Sequence, residues 1–343
     1  MRRTVAGSTT SSELKRIEAE LRLEAGEATL AADDLNVASL CRVWCEGSSK
    51  RWTDKTSYDN SRLIEKHIGP SNLGQMQVSR VRTMHVQKFQ DELLTRLSPS
   101  RVRSVRAVLS GAFKWAAASG IIGQNPTAST LPLPTRQSSV RATDPADWAR
   151  AIKTAASGRA GLSTLVQFLG VTGCRLSEAL AVSWSDIADS EVVISKAISS
   201  TPGVGLVVKQ TKTGRARRAP LGSALAEVLA ADRQSQIETC IATEGITFAE
   251  SGFVWSLDGC GVLPWRPDTA SKWVKQTGVA ALELRHMAAT QMLGNGTPVH
   301  TVASILGHSS TKMTLDVYGE AIPANHDAAA EIMERLSQTR PQP

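Results

Sequence analysis

Leu282 to Glu320 reads LELRHMAATQMLGNGTPVHTVASILGHSSTKMTLDVYGE. The stretch puts an arginine on an apolar helix (Arg285), then a Leu306-Gly307-His308 turn, and ten residues later Tyr318, one of only two tyrosines in the chain. A separate run, Thr172-Gly173-Cys174-Arg175-Leu176-Ser177-Glu178, carries a second arginine. Two arginines, a histidine and a tyrosine suit phosphoryl transfer at a nucleic-acid phosphate. Guanidinium forks hold the non-bridging oxygens, and a phenolic oxygen attacks phosphorus.

The rest of the chain bounds this reading. Its 343 residues suggest two domains, and a hydrophobic content of 41% supports real cores. A net charge of +7 favours a polyanionic partner, although many basic proteins have none. Five cysteines form no CxxC pair. Cys41 and Cys45 lie four apart on an expected helix without a second ligand pair, so reduced, buried thiols are expected rather than a metal site. Arg2 and Arg3 are followed by polar residues instead of a signal-peptide core, and no apolar run is long enough to span a bilayer. The expectation is a cytoplasmic protein with no membrane partner.

Residues 1–36 read as a flexible segment with a polar helix at 13–34. Residues 37–130 read as helical: Val37 to Trp44 is amphipathic, 59–68 ends at Gly69-Pro70, and 81–97 follows. Ser98-Pro99 is a serine N-cap with proline at the first helical position, opening a helix to about Ser119. Val102, Val105, Leu109 and Phe113 form its buried stripe. Arg103, Arg106, Ser110 and Lys114 form the opposite one, which is either solvated or laid along a phosphate backbone. Pro126, Pro132 and Pro134 mark extended chain from 121, with a linker at 131–144. From 145 the pattern is three helices to 182 and then strands at 191–197, 205–209 and 215–221. Gln210 to Gly214 reads as a hairpin turn between the last two strands, with Lys212 at its tip. Helices return at 222–243, 266–279, 281–295, 298–306, 311–319 and 323–338. The fold class is therefore mainly α with a small antiparallel β-sheet, the second domain being α+β.

These motifs together resemble the tyrosine recombinase (phage integrase) family. Residues 172–178 look like its first arginine box and Thr211-Lys212-Thr213-Gly214-Arg215-Ala216-Arg217-Arg218 like its β-hairpin lysine. Leu284-Arg285-His286, Leu306 to Ser310, and Thr314 to Tyr318 look like its second box and nucleophile. Singly each is ordinary: Arg175 a surface arginine, Lys212 a solvated lysine, His308 a cap, Tyr318 packing. Five in this order at these intervals are specific, and the likeness covers residue 37 to about 335.

The resemblance implies a helical core-binding domain and a catalytic domain acting on double-stranded DNA without metal or cofactor, as a homotetramer on two sites. Tyr318 would form a 3′-phosphotyrosyl link. Arg175 and Arg285 would clamp the phosphate, Lys212 would protonate the leaving 5′-oxygen, His308 would hydrogen-bond a phosphate oxygen, and Glu178 would support the site. Arg103, Arg106, Lys114, Arg215 and Arg217 are expected to bind DNA. The helix after Tyr318, around 322–336, either docks on a neighbour through Ile332, Met333 and Leu336 or packs on its own domain. Leu282 departs from the pattern, because the family usually has histidine or lysine there. His286 points roughly 100° away from Arg285 on a helix and is not expected to replace it. The expectation is a slower enzyme using His308 and water. The alternatives are an impaired DNA-binding accessory protein or a relaxing topoisomerase of the same chemistry.

Overall fold

The structure is a computed structural model that describes residues 35–134, 143–211, 214–245, 247–319 and 333–334. The polar helix expected at 13–34, the linker at 135–142, Lys212, and the helix expected at 323–338 (but for 333–334) lie outside these residues. The chain divides into two units, Met1–Ser138 and Ser139–Pro343.

In the first unit α1 (Val37–Ser49) begins where the Asn36 side chain accepts the Ser39 N–H at 2.8 Å. It is followed by α2 (Asp54–Leu63), which runs into a π turn at Ile64–Ile68, then α3 (Asn72–Gln75), α4 (Thr83–Leu94) and α5 (Pro99–Ala118). Ser98 caps α5 and Pro99 occupies its first turn, because proline's missing N–H costs nothing there. Val102, Val105, Leu109 and Phe113 of α5 are all 0% exposed and face Leu40 and Cys41 of α1. Burying each such aliphatic or aromatic side chain contributes about 1.5–3 kcal/mol. Gly111 lets the two helices close: a Cβ there would lie 2.3 Å from the Trp44 ring. The described part of the stretch from 121 packs on this core. Leu133 enters this core, Ile121 and Ile122 pack on it, and the Asn125 side chain accepts from Thr127 N–H and Oγ1 at 2.9 and 2.8 Å. All five cysteines are free and buried, and burial lifts the Cys41 thiol to about 12, so it stays protonated.

The second unit holds α6 (Pro145–Ala156), α7 (Leu162–Thr172), α8 (Leu176–Ala179), α9 (Ser223–Ala242), α10 (Pro267–Gln276), α11 (Ala281–Gly294), α12 (Val299–Leu306) and α13 (Thr311–Tyr318). Leu165, Phe168 and Leu169 of α7 pack with Trp255, Trp265 and Leu284 at its centre. The indoles are buried without polar cost: Trp255 Nε1 donates to Gly161 O at 3.1 Å and Trp265 Nε1 to Ser256 O at 2.7 Å.

The strand pairing differs from the expected pattern. Four strands are present, β1 (Glu191–Ile194), β2 (Lys196–Thr201), β3 (Gly205–Gln210) and β4 (Arg217–Pro220). They form two antiparallel pairs, β1 with β4 and β2 with β3. Residues 191–197 therefore break at Ser195 instead of forming one strand. Val192 and Ile194 share a buried face, yet Ala197 and Ile198 are the buried residues that follow, so the period-two alternation loses its phase. The tight turn lies at 202–204, and 210–214 joins two strands that pair elsewhere rather than with each other. Thr211 N–H donates to Ser195 O at 3.2 Å and holds the crossover.

Candidate active site

Arg175 is positioned by the end of α7. Gly173 caps that helix at φ +59°, and a Cβ there would meet Leu306 Cδ2 at 2.7 Å and Ala288 Cβ at 3.1 Å, so only glycine fits. Arg175 then begins α8. Its backbone N–H donates to Glu178 Oε2 at 3.0 Å and its Nη1 to Glu178 Oε1 at 2.8 Å. Arg217 reaches in from β4. Its Nη2 donates to the same Glu178 Oε2 at 2.5 Å, and its Nε to Ile305 O, at the end of α12, at 2.7 Å. The side chains of Glu178 and Arg217 are 2% and 7% exposed, against 38% for Arg175. Arg217, expected to bind DNA, is thus not on the outer surface. It is turned inward, because the buried carboxylate and an orphan helix-end carbonyl both need a donor. Burial pushes the Glu178 carboxyl up, but the hydrogen bond and charge of Arg217, with those of Arg175, outweigh it and leave the group below the usual carboxylate range.

Arg285 on α11 is 4% exposed. Its Nη1 donates to Gly173 O at 2.8 Å, while its Nη2 is buried without a hydrogen-bond partner among the described residues. Burial, with the nearby charge of Arg175, brings this guanidinium down to about 10, so it stays cationic at neutral pH.

The Leu306-Gly307-His308 turn closes α12 with Gly307 at φ +70°. The His308 N–H donates to Ala303 O at 3.0 Å, and its Nδ1 lies 2.8 Å from Thr314 Oγ1. A Cβ on Gly307 would sit 2.8 Å from Arg217 Nη1. Gly307→Ala therefore combines left-handed strain of about 1–2 kcal/mol with displacement of the guanidinium. The expected result is a fall in Tm, by roughly 2–4 °C per kcal/mol for a unit of this size, read by calorimetry. An unchanged Tm would refute the fit.

Burial, then the positive charges of Arg285, Arg175 and Arg217, bring the His308 imidazole down to about 4. His308 is accordingly neutral across the physiological range. The unfolded chain takes up this proton near the ordinary value of about 6.5 and the folded chain only near 4. Stability is therefore expected to be lost as pH falls from 6.5 towards 4. His67 and His286 are lowered too. Replacing His308 by glutamine is expected to make the slope of Tm against pH shallower without flattening it, and an identical slope would exclude His308 from the effect.

Tyr318 ends α13 and is 5% exposed, its ring packed among Ala289, Leu293, Val302 and Leu306. Its hydroxyl lies 2.5 Å from His286 Nδ1. Burial raises the phenol above its usual value, against the pull of Arg285. His286, not expected at the site from its direction relative to Arg285, stands beside the nucleophile. The informative interval is from Leu282: residues four apart on a helix share a face, one turn along. Leu282 itself is 63% exposed. The sequence signals for His286 are that spacing and its place in the Leu284-Arg285-His286 box. Thr314, 0% exposed behind His308, carried none.

Arg175, Glu178, Arg217, Arg285, His286, His308 and Tyr318 thus act electrostatically on one another across one site. A cleft of about 810 Å³ opens beside them, lined by Arg175, Arg215, Arg217, His300, His308 and Ser309 among others, with no carboxylate among the described lining residues. Arg215 is exposed at its edge. In the first unit Lys114 is exposed as expected. Arg103 and Arg106 instead donate to Pro134 O and Thr127 O at 3.3 and 3.4 Å, tying down the segment after α5. Among the described residues no group of three His, Cys, Asp or Glu could hold a metal, and no helix is long and apolar enough to cross a membrane.

The phage integrase central domain family matches residues 37–131, and the phage integrase family matches residues 267–324. The ICEBs1 integrase of Bacillus subtilis (strain 168) is 24% identical over 349 residues, covering 97% of this chain and 92% of its own. A XerC-like tyrosine recombinase of Caldanaerobacter subterraneus subsp. tengcongensis is 24% identical over 298 residues, covering 79% and 75%. The fold is similar to that of the Tn1549 transposon integrase in complex with transposon right end DNA, with a TM-score of 0.68 at 19% identity over 87% of this chain and 99% of that one. It is also similar to the lambda integrase tetramer bound to a Holliday junction, with a TM-score of 0.65 at 18% identity over 88% and 84%. These matches and the ordered boxes from Arg175 to Tyr318 support the phage integrase family of tyrosine recombinases, enzymes that act as DNA strand transferases, as the family of this chain.

Proposed function

We propose that this chain cuts and rejoins double-stranded DNA at specific sites through Tyr318, inserting or excising a mobile element. The observation that carries this is the buried Nη2 of Arg285, a charged donor with no acceptor among the described residues. Leaving such a group unpaired costs about 1–3 kcal/mol or more. The other cations around it are shared out over one carboxylate, so three guanidiniums surround a single negative charge. A non-bridging phosphate oxygen supplies both the missing acceptor and the missing charge.

The chemistry follows from the same residues. The Tyr318 oxygen bonds to phosphorus, the bond from phosphorus to the 5′-oxygen breaks, and the product is a 3′-phosphotyrosine with a free 5′-hydroxyl. One phosphodiester replaces another, so no external energy or cofactor is required, and a second 5′-hydroxyl reverses the step onto a new strand. Negative charge gathers on the equatorial oxygens in the transition state, where Arg175 and Arg285 stand ready without reorganisation. With the Thr314 hydroxyl donating to Nδ1, neutral His308 presents Nε2–H to the phosphate. Lys212 is assigned the proton for the leaving oxygen, as the family likeness suggests. Arg215, Arg103 and Lys114 lie on exposed surface suited to backbone phosphates.

The B. subtilis relative is an integrase, the Tn1549 protein is a transposon integrase seen with DNA, and the lambda protein is seen as a tetramer on a Holliday junction. These support a mobile-element substrate and four protomers on two sites. The test is a duplex nicked near the cleavage point, so that the released fragment diffuses away and the covalent product accumulates. The expected adduct maps by mass spectrometry to the peptide carrying Tyr318. An adduct on Tyr58, or none with the wild-type chain, overturns the proposal, and the latter result favours a binding-only protein.

A further inference from the structure

We infer that His286, through Nδ1, is the base that receives the phenolic proton of Tyr318 as it attacks. The inference rests on the cleavage reading above and deepens it. Every tyrosine nucleophile must lose a proton, and the group the family usually places at 282 is here a leucine 63% exposed, which can accept nothing. His286 stands one helical turn further along the same face of α11, and its Nδ1 is 2.5 Å from the Tyr318 hydroxyl. The rings lie 5.4 Å apart between centroids and are tilted by 54°, so they are not stacked.

The other candidates are already engaged. His308 offers its Nδ1 to Thr314. The guanidiniums of Arg175 and Arg217 are cations bound to Glu178, and that carboxylate is saturated by them. His286 is half-buried and is faced by the charges of Arg285 and Glu283 on its own helix, by His308 at the end of α12, and by Tyr318 on α13. Burial first, and then Arg285, lower its affinity for a proton. It is therefore a neutral acceptor at pH 7, which a base must be before the reaction.

The step balances as follows. His286 begins as the Nε2–H tautomer with a free lone pair on Nδ1. The Tyr318 proton passes to Nδ1 as the bond between its oxygen and phosphorus forms. The bond from phosphorus to the 5′-oxygen breaks, and that oxygen takes its proton from the acid assigned at Lys212. Religation reverses both transfers, so His286 returns to neutral.

The test uses the full chain and two substitutions. His286→Asn keeps an oxygen acceptor near the position of Nδ1 but cannot hold a proton, and His286→Ala removes both functions. On the nicked duplex at pH 7 both are expected to form the Tyr318 adduct about 10²–10⁴ times more slowly, the usual range for a lost general base. Gel-shift affinity for DNA stays at the wild-type value. The pH profile is the diagnostic: the wild-type rate levels off once His286 is neutral, whereas the asparagine chain gains about tenfold per pH unit up to pH 9.5. In ¹⁵N-histidine spectra of the DNA-free protein, the Nδ1 signal of His286 is expected to shift when Tyr318 becomes phenylalanine. Wild-type rate and profile in His286→Asn would overturn the inference while leaving cleavage by Tyr318 standing. A wild-type chain that forms no adduct would overturn both, even where the spectra show the hydrogen bond.

Discussion

Tyr318→Phe is expected to bind duplex DNA with wild-type affinity and to yield no covalent product on a nicked substrate. The substitution removes one oxygen and leaves the ring, which packs among Ala289, Leu293, Val302 and Leu306. The apolar contacts that hold α13 against α11 and α12 therefore persist, and the cost is the single hydrogen bond to His286, about 0.5–1.5 kcal/mol. Stability should change little while chemistry disappears, since the oxygen removed is the proposed nucleophile. Band shifts, calorimetry and adduct yield on one preparation read the three quantities together. Residual adduct above background would assign the nucleophile elsewhere, with Tyr58 the first residue to examine.

Arg285→Lys is the second large effect. Lysine keeps the positive charge, so a purely electrostatic role predicts a small loss. The arginine does two things at once: Nη1 holds Gly173 O at 2.8 Å, while the buried Nη2 is left over for a ligand. A lysine ammonium is a compact point charge on a flexible stem and cannot reproduce that fork. Whichever oxygen it takes, the other is lost. The expected cost is about 10²–10³ in the single-turnover cleavage rate, the range for one missing donor to transition-state charge, with gel-shift affinity changed far less. A loss under threefold would mean that charge alone accounts for Arg285 and that the unpaired nitrogen has no catalytic use.

What could be read from the sequence followed how local the cause was. The Ser98 cap, Pro99 and the spacing of Val102, Val105, Leu109 and Phe113 sit within a few turns of one another, and α5 follows from them directly. Three strand segments were visible, but the break at Ser195 and the partners were not, because pairing β1 with β4 depends on a crossover of more than twenty residues. Arg217 looked like a surface cation since its partners, Glu178 and Ile305, lie 39 and 88 positions away. Arg175, Arg285, His308 and Tyr318 could be named from ordered motifs, and the structure brings them to one place. His286 escaped because the departure at Leu282 was compared with the wrong neighbour on the helix. Lys212 is the one expected catalytic residue that stands outside the described residues.

The carbonyl of Gly173 accepts from Arg285, 112 positions later, and its Cα lies against Leu306. That single glycine is where three distant parts of the polypeptide meet. During synthesis the first arginine box therefore leaves the ribosome well before Arg285 and Tyr318, the groups that complete it. A product terminated between the two carries Arg175 and Glu178 with no phenol beside them.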